Sequence, residues 1–375
     1  MNDKNIIFHV EGGIGKNIMA TAVAKAIKKK HPDRDIITIS SWPAIWFNHP
    51  DVERFYALGN TPYIFEDYIR DRDTLIYKQE PYHHHGYINK QVHCIEAWCD
   101  LLGVEYSGEK PDVYLTHSES EMARMQFGSS DKPIFAVQTN GGGTPPNQQQ
   151  PMSWVRDAPL PTVLKMIEPF MEEYNIIQIR TEQQPGFQNI PFISSPNIRE
   201  VIALLKWSSK RLLIDSFAQH ACMSLGKKST VLWPMDNVKA LGYEFHDNIV
   251  SNVKLKKTHL IESYLGDLDI SGQPHMCPFK DDNIFDTEKV IKSLKRQKDT
   301  KFPESMMNMA PQQQQQQGSC PPPQMQPQMQ PQMQPQMQPQ MAPQMPQIAP
   351  QVPSEAPQEP PEALQEPAVV DVTQS

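Results

Sequence analysis

Residues 6–39 constrain this chain most strongly. An apolar run at 6–10 is followed by the glycine-rich turn EGGIGKN, a stretch with helical apolar spacing and a second apolar run at 36–39. Short continuous apolar runs are the pattern of strands buried on both faces. Ile18, Ala22, Val23, Ala26 and Ile27 recur as one face of a helix, and Lys25 and Lys28, Lys29 and Lys30 gather toward its end. Cations there favour the helix dipole and read as a solvated helix end. Strand, turn, helix and strand in this order form a βαβ unit, which requires parallel strands and a right-handed crossover.

The turn inside that unit has its own chemistry. Gly12, Gly13 and Gly15 allow positive φ and close approach by another group. The helix expected from near Lys16 aims its unpaired N–H groups and positive dipole end at the same spot. Lys16 adds a full charge, Asn17 follows it, and Glu11 is the adjacent acid. Such a turn suits a phosphate. It equally suits a joint at which two elements pack closely.

Downstream, a strand is expected at 75–77, followed by a histidine- and aromatic-rich stretch and an amphipathic helix over 92–102 that stops at Gly103. Within that stretch His83, His84 and His85 are consecutive. Three adjacent residues converge poorly on one tetrahedral metal, so the reading is a polar loop lining a cleft and no metal site. Residues 116–132 carry helical, charged and Ser/Gly-rich segments and read as a connection between domains. A second alternating series then begins: strand 134–138, a long polar loop, helix 160–174, strand 176–179, helix 197–208, strand 211–214 ending at Asp215, helix SFAQHACMSLG and strand 229–233. Residues 245–285 carry no clear pattern, and a last helix is expected over 286–297. The fold class is α/β, with two Rossmann-like, doubly wound domains facing a cleft, spanning 1–130 and 131–300.

The remainder, 301–375, is a different polymer. Its glutamine run and period-four PQMQ repeat bury no core, so extended disorder is expected, with regularly spaced methionines as a surface for an unknown protein partner. It also carries the charge imbalance. The chain has 35 basic and 43 acidic residues, and six of the acids lie in 302–375, leaving 35 against 37 before it. A near-neutral folded part argues against a nucleic-acid surface. Five scattered cysteines without a CxxC pair suit free thiols in a reducing compartment. With no apolar leader and no transmembrane-length run, the expectation is a soluble cytoplasmic protein.

Three stretches together resemble a known family. GGIGKNIMATAVAKAIKKKHPDRDIITISS followed by NHPDVERFY is similar to the N-terminal domain of the heptosyltransferase-like glycosyltransferases, glycosyltransferase family 9. LLIDSFAQHACMSLGKKSTVLWP resembles that family's C-terminal DSGxxH signature, and QVHCIEAWCDLLGVEYSGEKPDVYLT its interdomain helix. The resemblance implies a GT-B fold with an acceptor-side N-terminal domain and a nucleotide-sugar-binding C-terminal domain. It implies transfer of a sugar from a nucleotide-sugar to a glycan or lipopolysaccharide-like acceptor, inverting and metal-independent, with no cofactor besides that substrate. Asp215, Ser216 and His220 match DSGxxH and are placed at the donor phosphates together with Gln219. Phe217 departs from the family's glycine. The loop with Gly141 and Thr144 would face the same cleft. Ser153 and Trp154 fall near a K/R-x-W element, whose basic residue Arg156 or Arg180 would replace.

Lys16 stands where the family usually keeps an aspartate base. Lys16 would then neutralise the leaving diphosphate or hold an anionic acceptor, leaving Glu11 or one of His83, His84 and His85 as base. Two alternatives follow from the same residues. One is a non-catalytic glycosyltransferase-fold binding scaffold. The other is a P-loop-type ATPase, since GGIGK resembles a deviant P-loop, although Asn17 occupies the position of its Mg²⁺-holding hydroxyl.

Overall fold

The computed structural model describes residues 3–127, 132–141, 155–194, 197–253, 279 and 283–298. The Pro/Gln/Met-rich tail, Thr144, Ser153, Trp154, Cys277 and Cys320 lie outside the described residues. The first half runs β1 (Lys4–Val10), α1 (Ile14–Lys30), β2 (Asp35–Ser40), β3 (Arg54–Ala57), α2 (Ile64–Tyr68), β4 (Asp73–Tyr77), α3 (His85–Ile88), α4 (Cys94–Leu101) and α5 (His117–Phe127). The second runs β5 (Ile134–Val137), α6 (Leu160–Ile167), β6 (Asn175–Ile179), β7 (Phe192–Ile193), α7 (Ile198–Trp207), β8 (Lys210–Ile214), α8 (Phe217–Ser224), β9 (Thr230–Trp233), α9 (Val238–Leu241), β10 (Asp247–Val250) and α10 (Thr287–Arg296).

The strands form two all-parallel sheets, ordered β3-β2-β1-β4 and β10-β9-β8-β5-β6-β7. In the first, the chain builds outward from β1 to β3 and then returns to the other side of β1. In the second it builds from β5 to β7 and returns beside β5 as β8. Each sheet therefore has a topological switch point, between β1 and β4 and between β5 and β8. A crevice opens beyond the strand C-termini at such points.

α1 is buried more completely than its spacing predicts. Met19, Ala20 and Ala24 are as enclosed as the expected stripe of Ile18, Ala22, Val23, Ala26 and Ile27. The reason is a second partner: α1 packs against α8 as well as its own sheet. One apolar core accordingly runs from Ile6 and Phe8 through α1 to Leu213, Ala218 and Ala221. A separate core covers the other face of the second sheet, where Phe135, Leu212 and Ile214 meet Val163, Val290 and Leu294. Cys94, Cys99 and Cys222 are buried free thiols.

Polar anchors fix the connection between the halves. The lysines at the end of α1 are more than a solvated helix end: Lys29 Nζ donates to Ser107 Oγ and Lys30 Nζ to the Gly103 carbonyl, both at 2.7 Å. Arg199, at the start of α7, is buried and reaches three segments. It pairs with Glu119 of α5 and donates to the carbonyls of Ala44 at 2.9 Å and Tyr114 at 2.6 Å. That pairing holds the Glu119 carboxyl down at about 2. The helical segment expected within the 116–132 connection is α5, packed on α7. Helix 160–174 is shorter than expected because Pro169 turns its last part into a 3₁₀ turn at Glu168–Phe170.

Candidate active site

The glycine turn is built by one glycine that must be glycine and one side chain behind it. Gly12 has φ +99°, a conformation that disfavours any Cβ. Asn17 Nδ2 donates to the carbonyls of Gly12 at 3.3 Å and Gly13 at 3.0 Å, while its Oδ1 accepts from Ser40 Oγ at 2.6 Å. Asn17 is thereby buried behind the turn, tying it to the end of β2, and does not line the crevice. Gly13 is the N-cap of α1 at φ −73° and supplies no capping side chain. Gly15 faces the other half, where a Cβ would meet the His220 ring at 2.9 Å.

Across the crevice, Asp215 follows the end of β8 and α8 begins after Ser216, also without a side-chain cap. Two uncapped helix N-termini therefore line one cavity of about 740 Å³, which reaches Gly12, Gly13, Gly15, Asp215, Ser216 and His220. Ser216 Oγ accepts from Gln138 Nε2 at 3.2 Å, spanning the β5–β8 switch point. Gln138 Oε1 is buried in the cavity wall with no hydrogen-bond partner among the described residues. Asp157 pins the loop after β5, accepting from the Gly141 N–H at 2.9 Å and from Asn140 Nδ2 at 3.2 Å. This brings Arg156 beside Ser216, with Gly141 between them: a Cβ there would lie 3.0 Å from Arg156 and 3.2 Å from Ser216 Oγ. Burial pushes the Asp215 carboxyl up to about 6, against the pull of Arg156.

The remaining expected residues divide. His220 is buried, its Nδ1 2.8 Å from Tyr243 Oη and its Nε2 3.4 Å from Gln219 Nε2. Burial, with His93 and His246 nearby, lowers it to about 3, so the ring is neutral. Gln219 lies behind it, donating to the Leu241 carbonyl at 2.9 Å, and does not reach the cavity. Arg180 lines the cavity, but its guanidinium stacks 3.5 Å over Phe192 and donates to the carbonyls of Thr181 and Gln184 at 2.9 and 3.0 Å. It organises its own loop, while Arg156 lies across Gly141 from Ser216. Glu11 is at the exposed rim, 3.5 Å from His9 Nε2 and 3.4 Å from Lys78 Nζ.

His83, His84 and His85 do not line the cavity. His83 and His85 are exposed, and His84 accepts from the Gly86 N–H at 3.1 Å and lies 2.9 Å from the Asp100 carboxylate. The 3₁₀ turn Pro81–His83 instead presents Tyr82 to the crevice, beside Glu80. Glu80 is ion-paired with Lys16, whose ammonium also sits 5.2 Å from the Tyr82 ring and 5.3 Å from that of Trp98. Lys16 is only 5% exposed. Glu80, Tyr82, Trp42 and Gln138 went unread in the sequence. What marks Glu80 and Gln138 is position alone, since each follows the C-terminal end of a switch-point strand.

Two Rossmann-like halves that join their switch points in one crevice define a GT-B-type architecture. No protein-family model and no curated protein sequence matches the chain. Solved structures do. The crystal structure of a glycosyl transferase family 9 protein from Veillonella parvula superposes with a TM-score of 0.52 at 12% identity, covering 78% of this chain and 96% of that one. The ADP-heptose lipopolysaccharide heptosyltransferase II of E. coli gives 0.51 at 10% identity, covering 78% and 97%. The fold is heptosyltransferase-like, of the glycosyltransferase family 9 type.

Proposed function

We propose that this protein is a glycosyltransferase that moves a sugar from a nucleoside-diphosphate sugar to a hydroxyl acceptor in one inverting step. The observation that carries the reading is the meeting of both switch points, each with an uncapped helix N-terminus, in a single cavity. Ile179, Ile193, Ile198 and Val201 give one end of that cavity an apolar surface suited to a nucleobase. From there the diphosphate extends to the first turn of α8, where Ser216, the helix N–H groups and Arg156 receive the charge that develops on the leaving group. Gln138 Oε1, which has no partner among the described residues, takes a hydroxyl of the donor. The acceptor enters along the glycine turn, between Trp42 and Tyr82. With leaving group and acceptor held by opposite walls, attack comes from the face opposite the departing diphosphate, which inverts the anomeric centre.

The test is release of nucleoside diphosphate from ADP-, GDP- and UDP-hexoses by the full chain in the presence of a chelator. Turnover of at least one donor is expected. Binding without release from any of them would assign the cavity to a non-catalytic scaffold instead.

A further inference from the structure

We infer that Glu80 is the carboxylate that takes the acceptor's proton, and that Lys16 is the positioning residue that holds it. The inference rests on the transferase reading above. Among the described residues, three carboxylates line the cavity: Glu11, Glu80 and Asp215. Asp215 belongs to the donor wall, beside the phosphate-receiving Ser216. The choice on the acceptor wall is between Glu11 and Glu80.

Glu11 is half exposed, on the rim, 3.4 Å from the exposed Lys78 Nζ and 3.5 Å from the His9 ring, whose partial burial favours its neutral form. Its side chain is held by nothing buried. Glu80 is fixed at both oxygens. Oε2 is bound by Lys16 Nζ, and Oε1 accepts the Tyr82 N–H at 3.4 Å. Each carboxylate oxygen has two acceptor positions, so both keep one for a further proton. About a third of the Glu80 side chain stays open, while Lys16 shows 4%. Both residues line the cavity, but the ammonium is enclosed beneath Tyr82 and Trp98 and the carboxylate is the more open end.

The pair also spans the β1–β4 switch point. Lys16 lies on the first turn of α1, after β1, and Glu80 follows β4. This is the counterpart of the Gln138–Ser216 bond across the β5–β8 switch point, so the two bridges stand on the two walls of one cavity. Lys16 is ion-paired with Glu80 where it stands, and the diphosphate is placed on the opposite wall, at Ser216 and Arg156.

The step balances as a single displacement. The acceptor O–H proton passes to an oxygen of Glu80 while the acceptor oxygen forms a bond to the anomeric carbon. The bond from that carbon to the diphosphate oxygen breaks, and its electron pair leaves with the diphosphate. Glu80 then returns its proton to solvent.

The experiment uses the full chain with ADP-, GDP- and UDP-hexoses, water as acceptor, and nucleoside-diphosphate affinity measured in parallel. Glu80→Gln keeps the oxygen that Lys16 binds and is expected to lower kcat at least about 100-fold. Nucleotide affinity should stay within about twofold, a split that a general structural lesion would not give. Glu80→Asp should recover part of the rate. Should Glu80→Gln fail to fold, Lys16→Met/Glu80→Gln leaves no unpaired buried ammonium and is expected to show the same loss. Retention of rate within about threefold in Glu80→Gln, or loss in Glu11→Gln in its place, would overturn the assignment. A wild-type chain that binds nucleotide but releases none overturns the transferase reading itself, an outcome distinct from either.

Discussion

A methyl group added to Gly15 would stand 2.9 Å from His220 Cδ2 and 3.3 Å from its Nε2. Gly15 lies on the first turn of α1, after β1 of one sheet, and His220 lies on α8, after β8 of the other. The glycine turn is therefore a joint between the halves as well as a cavity wall. Its third glycine is there for the imidazole, whose own position is set by Tyr243.

The joint predicts different costs for neighbouring glycines. Gly13 has negative φ and open space where a Cβ would go, whereas Gly15 has none. Gly15→Ala should destabilise the protein by about 1–3 kcal/mol through overpacking, and Gly13→Ala by less than about 1 kcal/mol. Denaturant titration of both variants checks this. Equal effects would mean that the contact with His220 costs little to displace.

Asp215 gives a prediction with a definite sign. Its native carboxyl titrates at about 6, above the ordinary aspartate value, because burial disfavours the charge. The native state thus holds this proton more tightly than the unfolded chain does. Stability is complete below the ordinary aspartate value and is lost as pH rises through about 6. Asp215→Asn should stabilise the protein at pH 7.5 by about 1–3 kcal/mol, an upper range because the residue keeps some surface on the cavity. The gain should vanish near pH 4, as read from melting temperatures across pH. A gain independent of pH would contradict the assignment.

How much of this was legible in the sequence depends on the physics behind each feature. The strands β1, β2, β5, β8 and β9 each carry a short apolar run, and burial on both faces writes itself into composition. β7 is two residues long and β10 lies in a polar stretch, so neither leaves a period to find. Asp215, Ser216 and His220 were readable because they share one short motif after a strand. Glu80 was hidden, because its meaning comes from Lys16, 64 residues away, and from β4 pairing beside β1. His83, His84 and His85 drew attention by composition, but the 3₁₀ turn before them sets which side chains face inward.

Arg199 is a pin between segments distant in sequence. Arg199→Met would leave Glu119 with only its Thr116 hydrogen bonds and no cationic partner, and would remove the donor to the Ala44 and Tyr114 carbonyls. A loss of about 3–5 kcal/mol is expected, with part recovered in Arg199→Met/Glu119→Gln, because the unpaired carboxylate carries much of the cost. A double-mutant cycle measures it. Additive single effects would show that the pair contributes nothing beyond its separate packing.

The central claim is that the cavity receives a nucleoside diphosphate with its phosphates at Ser216 and Arg156. Calorimetric titration of ADP, GDP and UDP into the full chain tests it most directly, with Arg156→Gln run beside the wild type. One of the three should bind with one-to-one stoichiometry, and Arg156→Gln should weaken it by about tenfold or more, the worth of a charge-assisted hydrogen bond. Failure of all three to bind, or binding indifferent to Arg156→Gln, would contradict the account.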